Sequence, residues 1–299
     1  MVIKMNEDKV SINWYPGHMA KAKRLISSAL SEIDIVVELL DARIPLASKN
    51  PDIESLIQHK TRLLILNKAD LADPQQTKKW IEYYNSNSYN AISLNSLRFN
   101  EKIFYDAIYE ISKEKRERDL KRGIKKPSTR IMILGIPNVG KSTLINSLSH
   151  SRKVKTEDRP GVTRGKQWVS LNNGILLLDM PGILWPKLDN QKAALNLAYT
   201  GAIKHNVLNI EEVAERFIGH IKKDYSKELG ERYKLESLPN DDREVLLSIG
   251  KKRGYIISGG EIDIERTAIV ILDEFRSGKI GRITLDSIAI MGDINDKKV

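Results

Sequence analysis

The densest run of chemistry-bearing residues is Gly135-Ile-Pro-Asn-Val-Gly140-Lys141-Ser142. It reads G-x-x-x-x-G-K-S, directly after the apolar run Arg130–Leu134 and directly before a helical pattern, the context such a loop requires. Glycines let successive backbone N–H groups curl around a β-phosphate, and the helix N-terminus behind them adds partial positive charge. Lys141 is placed to bridge β- and γ-phosphates and Ser142 to hold Mg²⁺, with nucleotide contacts expected across Asn138, Val139, Gly140 and Thr143.

A second element, Asn67-Lys68-Ala69-Asp70, closes the apolar run Leu63–Leu66, at the end of a strand where ligands of parallel sheets sit. A carboxylate there accepts both the N1–H and the exocyclic amine of guanine. Adenine offers no such donor pair, so Asp70 selects guanine. Asn67 is expected to meet the base edge and tie this loop to the phosphate loop, with the Lys68 stem over the ring. Asn95 and Ser96, after a short strand near Tyr89–Ser93, stand where a loop backing the base belongs. Asp179-Met-Pro-Gly182 closes the run Ile175–Leu178; Asp179 would reach Mg²⁺ through water, and the Gly182 N–H would sense the γ-phosphate. Thr163, in a basic stretch between the phosphate loop and Asp179, completes the Mg²⁺ shell when a triphosphate is bound.

The order of these motifs along the chain is guanine motif, base-backing loop, phosphate loop, Thr163 loop, Asp179 loop. Ordinary GTPases begin with the phosphate loop. With Trp14-Tyr-Pro-Gly-His18-Met-Ala20 and Asp41-Ala-Arg-Ile-Pro45, the combination resembles the circularly permuted GTPases, and within them the ribosome-biogenesis branch. The resemblance spans the whole chain and is motif-specific to about residue 185. It implies GTP hydrolysis in late assembly of the large ribosomal subunit, stimulated by that particle, with ribosomal RNA and proteins as partners; the lack of cysteines and of an apolar signal core at the N-terminus makes the cytoplasm the expected location. It also implies K⁺ beside the phosphates, held by Asn138, and a catalytic role for His18 together with Lys141 and Thr163. The residue after Asp179-x-x-Gly182 is Ile183, where many GTPases carry a water-orienting Gln, and an aliphatic side chain cannot orient water. Other readings are a slow GTP-dependent RNA-binding scaffold, or a GTPase acting on tRNA or translation complexes.

These loops need a scaffold. Short buried strands alternating with helical patterns predict a mainly parallel three-layer α/β sheet with strands near 33–40, 63–66, 89–93, 130–134, 166–170 and 174–179. Residues 190–277 carry helical periodicity broken at Pro239 and near Gly254–Gly260, and the tail from Gly278 is extended in character. The expected division is a permuted GTPase domain over 1–185, including an N-terminal segment 1–30 and a basic linker about 113–128, and an all-helical RNA- or ribosome-binding domain over 186–299. Residues 113–126 hold eight basic and three acidic side chains, enough for a solvated helix end and linker without RNA. The chain of 299 residues has formal net charge +10 and no cysteine, which excludes disulfides and thiolate metal sites and suits a polyphosphate partner. With no apolar run of about 18 residues, no membrane span is expected, and a monomer is the simplest expectation.

Overall fold

The computed structural model describes residues 17–57, 60–150, 168–179, 190–203 and 209–288. Among these, two units separate: a sheet unit drawn from the described residues of 17–69 and 77–179, and a helical unit drawn from those of 70–76 and 190–288. The second is therefore not confined to the C-terminal segment, because Asp70, the last residue of the guanine motif, and the six residues after it belong with it.

The sheet unit begins with helix α1 (Gly17–Ala29) and strand β1 (Ile35–Asp41), which is buried at all seven positions. A strand covered on both faces reads as a continuous apolar run, the form β1 has in the sequence. Helix α2 (Pro51–Leu56), β2 (Thr61–Asn67), α3 (Pro74–Ser86), β3 (Asn90–Ser93), α4 (Glu101–Lys121), β4 (Thr129–Gly135), α5 (Lys141–His150), β5 (Trp168–Ser170) and β6 (Ile175–Asp179) follow. The sheet order is β3-β2-β1-β4-β6-β5, parallel except for the antiparallel edge pair β5/β6. Ile26, Ala29, Ile53 and Ile57 pack with Val36, Met132, Leu134 and Leu178, so α1 and α2 cover one face. Phe104 and Ile108 of α4 are buried, and this helix lies against β2. The basic stretch starts as the end of α4, which runs to Lys121. There Lys115 is tied to Asp34 (3.1 Å), Asp119 (3.2 Å) and the Ser128 carbonyl (2.5 Å). That lysine holds the helix end to the sheet.

Among the described residues, five helices build the other unit: α6 (Gln191–Tyr199), α7 (Ile210–Asp224), α8 (Ser226–Tyr233), α9 (Asp242–Arg253) and α10 (Ile264–Arg276). Asn190, Asn209, Asp241 and Asp263 cap α6, α7, α9 and α10 by accepting a backbone N–H of the first turn. Tyr199, Phe217 and Phe275 stack through the centre, with ring centroids 5.2 and 4.7 Å apart. Gly250 is where α9 meets α10: a Cβ there would overlap Ile262 and Thr267. No helix among the described residues is long and apolar enough to cross a membrane.

Candidate guanine-nucleotide site

Strand order decides where a ligand can sit. The chain runs outward from β1 to β2 and β3, then returns to lay β4 on the opposite side of β1. Connections from β1 and β4 therefore leave in opposite directions, which opens a crevice at their carboxyl ends. The register aligns those ends: Asp41 faces Asn67, Leu39 faces Gly135, Leu66 faces Ser93, and Ile133 faces Asp179. All the motif-bearing loops of the described sheet thus emerge along one edge.

The loop Ile136–Gly140 leaves β4 and enters α5 at Lys141, and all of it but the buried Val139 lines, with Lys68, Lys141, Ser142 and Thr143, a cavity of 510 Å³. Its backbone makes the cradle. Gly140 sits at φ +98°, and a Cβ there would overlap the Asn67 side-chain amide. Asn138 sits at φ +59°, a left-handed conformation that Asn tolerates better than most residues, so backbone geometry is itself a reason for Asn at this position. Ser142 is exposed in the first turn of α5.

Asn67 is the knot of the site. It is 1% exposed; its amide nitrogen donates to the Val139 carbonyl (2.7 Å), and its oxygen accepts from both the Ser96 N–H (3.1 Å) and the Ser96 hydroxyl (2.7 Å). One side chain therefore joins the guanine motif, the base-backing loop and the phosphate loop. Ser147 of α5 reinforces the joint by donating to the Ser96 carbonyl at 2.9 Å. Asn95 serves the same loop as a cap, its carboxamide oxygen accepting from Leu97 and Arg98 N–H groups at 2.8 and 3.2 Å.

Lys68, at φ +59°, donates to the Asn138 carbonyl (2.6 Å) and pairs with the Asp41 carboxylate (3.1 Å). Asp41 is also gripped by Arg43, whose Nε and Nη2 reach its two oxygens at 2.9 and 2.7 Å, and Arg43 is 1% exposed. Burial opposes ionisation of Asp41, but the Arg43 guanidinium and Lys68 ammonium outweigh it and hold the carboxyl well below its usual range. The Asp41-Ala-Arg43 segment, quoted in the sequence only as a family mark, thus anchors the lysine that crosses the phosphate loop. The sequence reading of the site missed this role. Its one signal was an Asp-x-Arg placed directly at the end of an apolar strand.

Asp70 directly follows Ala69 and is exposed. The backbone of Asp179 closes β6, beside the strand that feeds the phosphate loop. His18 lies in α1 with its side chain outside the described residues; Thr163, Gly182 and Ile183 lie outside them altogether. For Mg²⁺, the exposed Ser142 in the first turn of α5 offers a hard oxygen donor of the kind that ion takes, while the side chain of Asp179 lies outside the described residues.

Residues 130–245 match the model of a family described as 50S ribosome-binding GTPase. Ribosome biogenesis GTPase A of Bacillus cereus is 46% identical over 277 residues, covering 92% of this chain and 94% of the relative. The chain belongs to the ribosome biogenesis GTPase A family. Among solved structures, GDP-bound TM YlqF superposes with a TM-score of 0.66 at 27% identity, covering 89% of this chain and 100% of the other. The GNP-bound form of YlqF from T. maritima gives a TM-score of 0.63 at 28% identity, covering 89% and 97%. Membership makes the chain a GTPase, and Mg²⁺ is the cofactor such enzymes generally use. The permuted motif order is then a family architecture, with the phosphate loop in the middle of the chain.

Proposed function

We propose that this chain is a GTP-hydrolysing switch in late assembly of the large ribosomal subunit, binding ribosomal RNA and proteins in the cytoplasm and hydrolysing GTP efficiently only on that particle. The single observation that carries the nucleotide half is the Asn67 knot, which joins three loops of a guanine site in a family of ribosome-biogenesis GTPases. The particle half rests on the family and on the formal charge of +10.

In this reading Asp70 selects guanine, backbone N–H groups of Asn138–Thr143 cradle the phosphates, and Lys141 bridges the β- and γ-phosphates. Ser142, Thr163 and Asp179 would hold Mg²⁺, which would supply positive charge beside the phosphates. The Gly182 N–H reads the γ-phosphate, and the chain beyond it leads into the helical unit, so the nucleotide state biases residues 190–299. With Ile183 where a water-orienting Gln often stands, the free protein lacks that group. His18 then supplies a water-orienting imidazole on the particle, and K⁺ at Asn138 adds positive charge beside the phosphates.

Turnover measured with and without large subunits, in K⁺ and in Na⁺, tests this. Stimulation by subunits that is greater in K⁺ and lost in His18→Ala supports the full reading. Turnover unchanged by subunits overturns it in favour of a slow GTP-dependent RNA-binding scaffold, the reading Ile183 also allows.

A further inference from the structure

The segment between the guanine motif and α3 is held by the far end of the chain. Three successive residues of an extended C-terminal segment grip three successive residues after Asp70. The Ile283 N–H donates to the Leu71 carbonyl (3.1 Å), Arg282 Nε donates to the Ala72 carbonyl (2.9 Å), and the Asp73 N–H donates to the Thr284 hydroxyl (3.1 Å). Gly278, at φ +73°, stands so close to Leu71 that a Cβ would come within 2.7 Å of its side chain.

The gripping segment is itself locked. Ile283, Thr284, Leu285 and Asp286 are all buried, although they form no helix or strand. Tyr225, between α7 and α8, accepts from the Thr284 N–H and donates to the Thr284 carbonyl, both at 3.1 Å. Asn196 of α6 donates to the Asp286 carboxylate at 2.7 Å. On the other side, Asp73 caps α3 by accepting from the Gln75 and Gln76 N–H groups at 2.7 and 3.0 Å. The linker Leu71–Asp73 is therefore pinned at both ends, and Asp70 is the next residue upstream.

We propose that the strap Gly281–Asp286 is a positioning device for guanine recognition: Arg282 and Thr284 fix the backbone of Leu71–Asp73 and so aim the Asp70 carboxylate. The physical case is one of orientation. A carboxylate accepting two donors in a fixed plane tolerates little rotation, and an exposed side chain on an untethered loop would lose that geometry. The inference rests on the reading of Asp70 as the base-selecting residue.

The test uses the full chain and compares binding of fluorescent GDP and IDP, whose hypoxanthine base lacks the exocyclic amine Asp70 accepts from. Thr284→Val removes the acceptor for the Asp73 N–H at nearly constant volume, and the expected result is a fall of about tenfold in the GDP/IDP affinity ratio. Arg282→Ala, at an exposed position, should lower the ratio by a smaller factor. Thr284→Ser, which keeps the hydroxyl, should restore it. A strap with a purely structural role would weaken GDP and IDP equally, and an unchanged ratio in both Thr284→Val and Arg282→Ala overturns the proposal. If Thr284→Val fails to fold, Arg282→Ala decides alone. Asp70→Asn separates the two layers. It should exchange GDP preference for XDP preference, and if it does not, the base-reading assignment fails whatever the strap variants do.

Discussion

At the scale of single residues, two buried carboxylates on β1 have opposite fates. Glu38 is 1% exposed in the middle of the sheet, where only the Asn50 backbone, Lys49 and Arg62 act to favour its charged form. Its nearest cations, Lys49 and Arg62, are already paired with Glu54 at 2.5 and 3.0 Å. Burial pushes the Glu38 carboxyl up to about 7, against the pull of Lys49 and Arg62. Because the folded state holds this proton more tightly than the unfolded state, the contribution to stability is fully present below pH 4.5 and is lost as pH rises to about 7. Glu38→Gln should therefore gain on the parent by about 3 kcal/mol between pH 4.5 and pH 8. Denaturant melts across that range check this, and a pH-independent difference would refute it. Asp41, three residues on, is ionised and paired. Asp41→Ala removes the carboxylate that pairs with both the buried Arg43 and Lys68, so a loss of about 3–5 kcal/mol is expected. Replacing both, as Asp41→Ala with Arg43→Met, should recover part of that loss in the same melts, because the buried guanidinium is then gone.

At the scale of elements, the loops depend on one another more than on their own strands. Asn67→Ala removes the bonds to Val139 and Ser96 together and leaves a buried N–H and hydroxyl without their acceptor. Guanine-nucleotide affinity should fall by about a hundredfold, as two or more net hydrogen bonds of organisation are lost. Titration with labelled GDP measures this, and an affinity within a factor of three of the parent would show that the loops hold their arrangement without the knot. This is also where sequence and structure part. Strand positions and the phosphate loop were legible because an apolar run between glycine-bearing turns has few other readings, and the helical periodicity over 190–277 placed α6 to α10. The six-residue α2 carried too short a pattern to declare itself. The buried Asp41–Arg43 pair and Glu38 were hidden for a different reason: local sequence gives charged residues a solvent-facing reading, and only the neighbouring strands decide otherwise. Likewise, Leu71–Asp73 read as a loop leading into α3, because the Arg282 and Thr284 that hold it lie 210 and 211 residues away from their partners.

At the scale of the whole molecule, charge and wiring make separable contributions. Counterion release would draw a chain of formal charge +10 to any RNA, and that attraction would not depend on which nucleotide is bound. In the proposed reading, discrimination between nucleotide states comes from the geometry that the bound nucleotide sets rather than from net charge. The two terms respond differently to salt. Raising monovalent salt from about 50 to 200 mM should weaken binding to an unrelated structured RNA by at least about tenfold, the effect of releasing ions from as few as two phosphate contacts. Over the same range, the ratio of large-subunit affinities for the GTP-analogue and GDP forms should stay constant, because both forms carry the same protein charges. Co-sedimentation at several salt concentrations measures both quantities. If the ratio collapses toward one as salt rises, the difference between the forms is electrostatic in origin, and the helical unit is not being reoriented by the nucleotide. A constant ratio on a falling baseline is the signature of a switch whose charges attract the particle and whose geometry chooses when to stay.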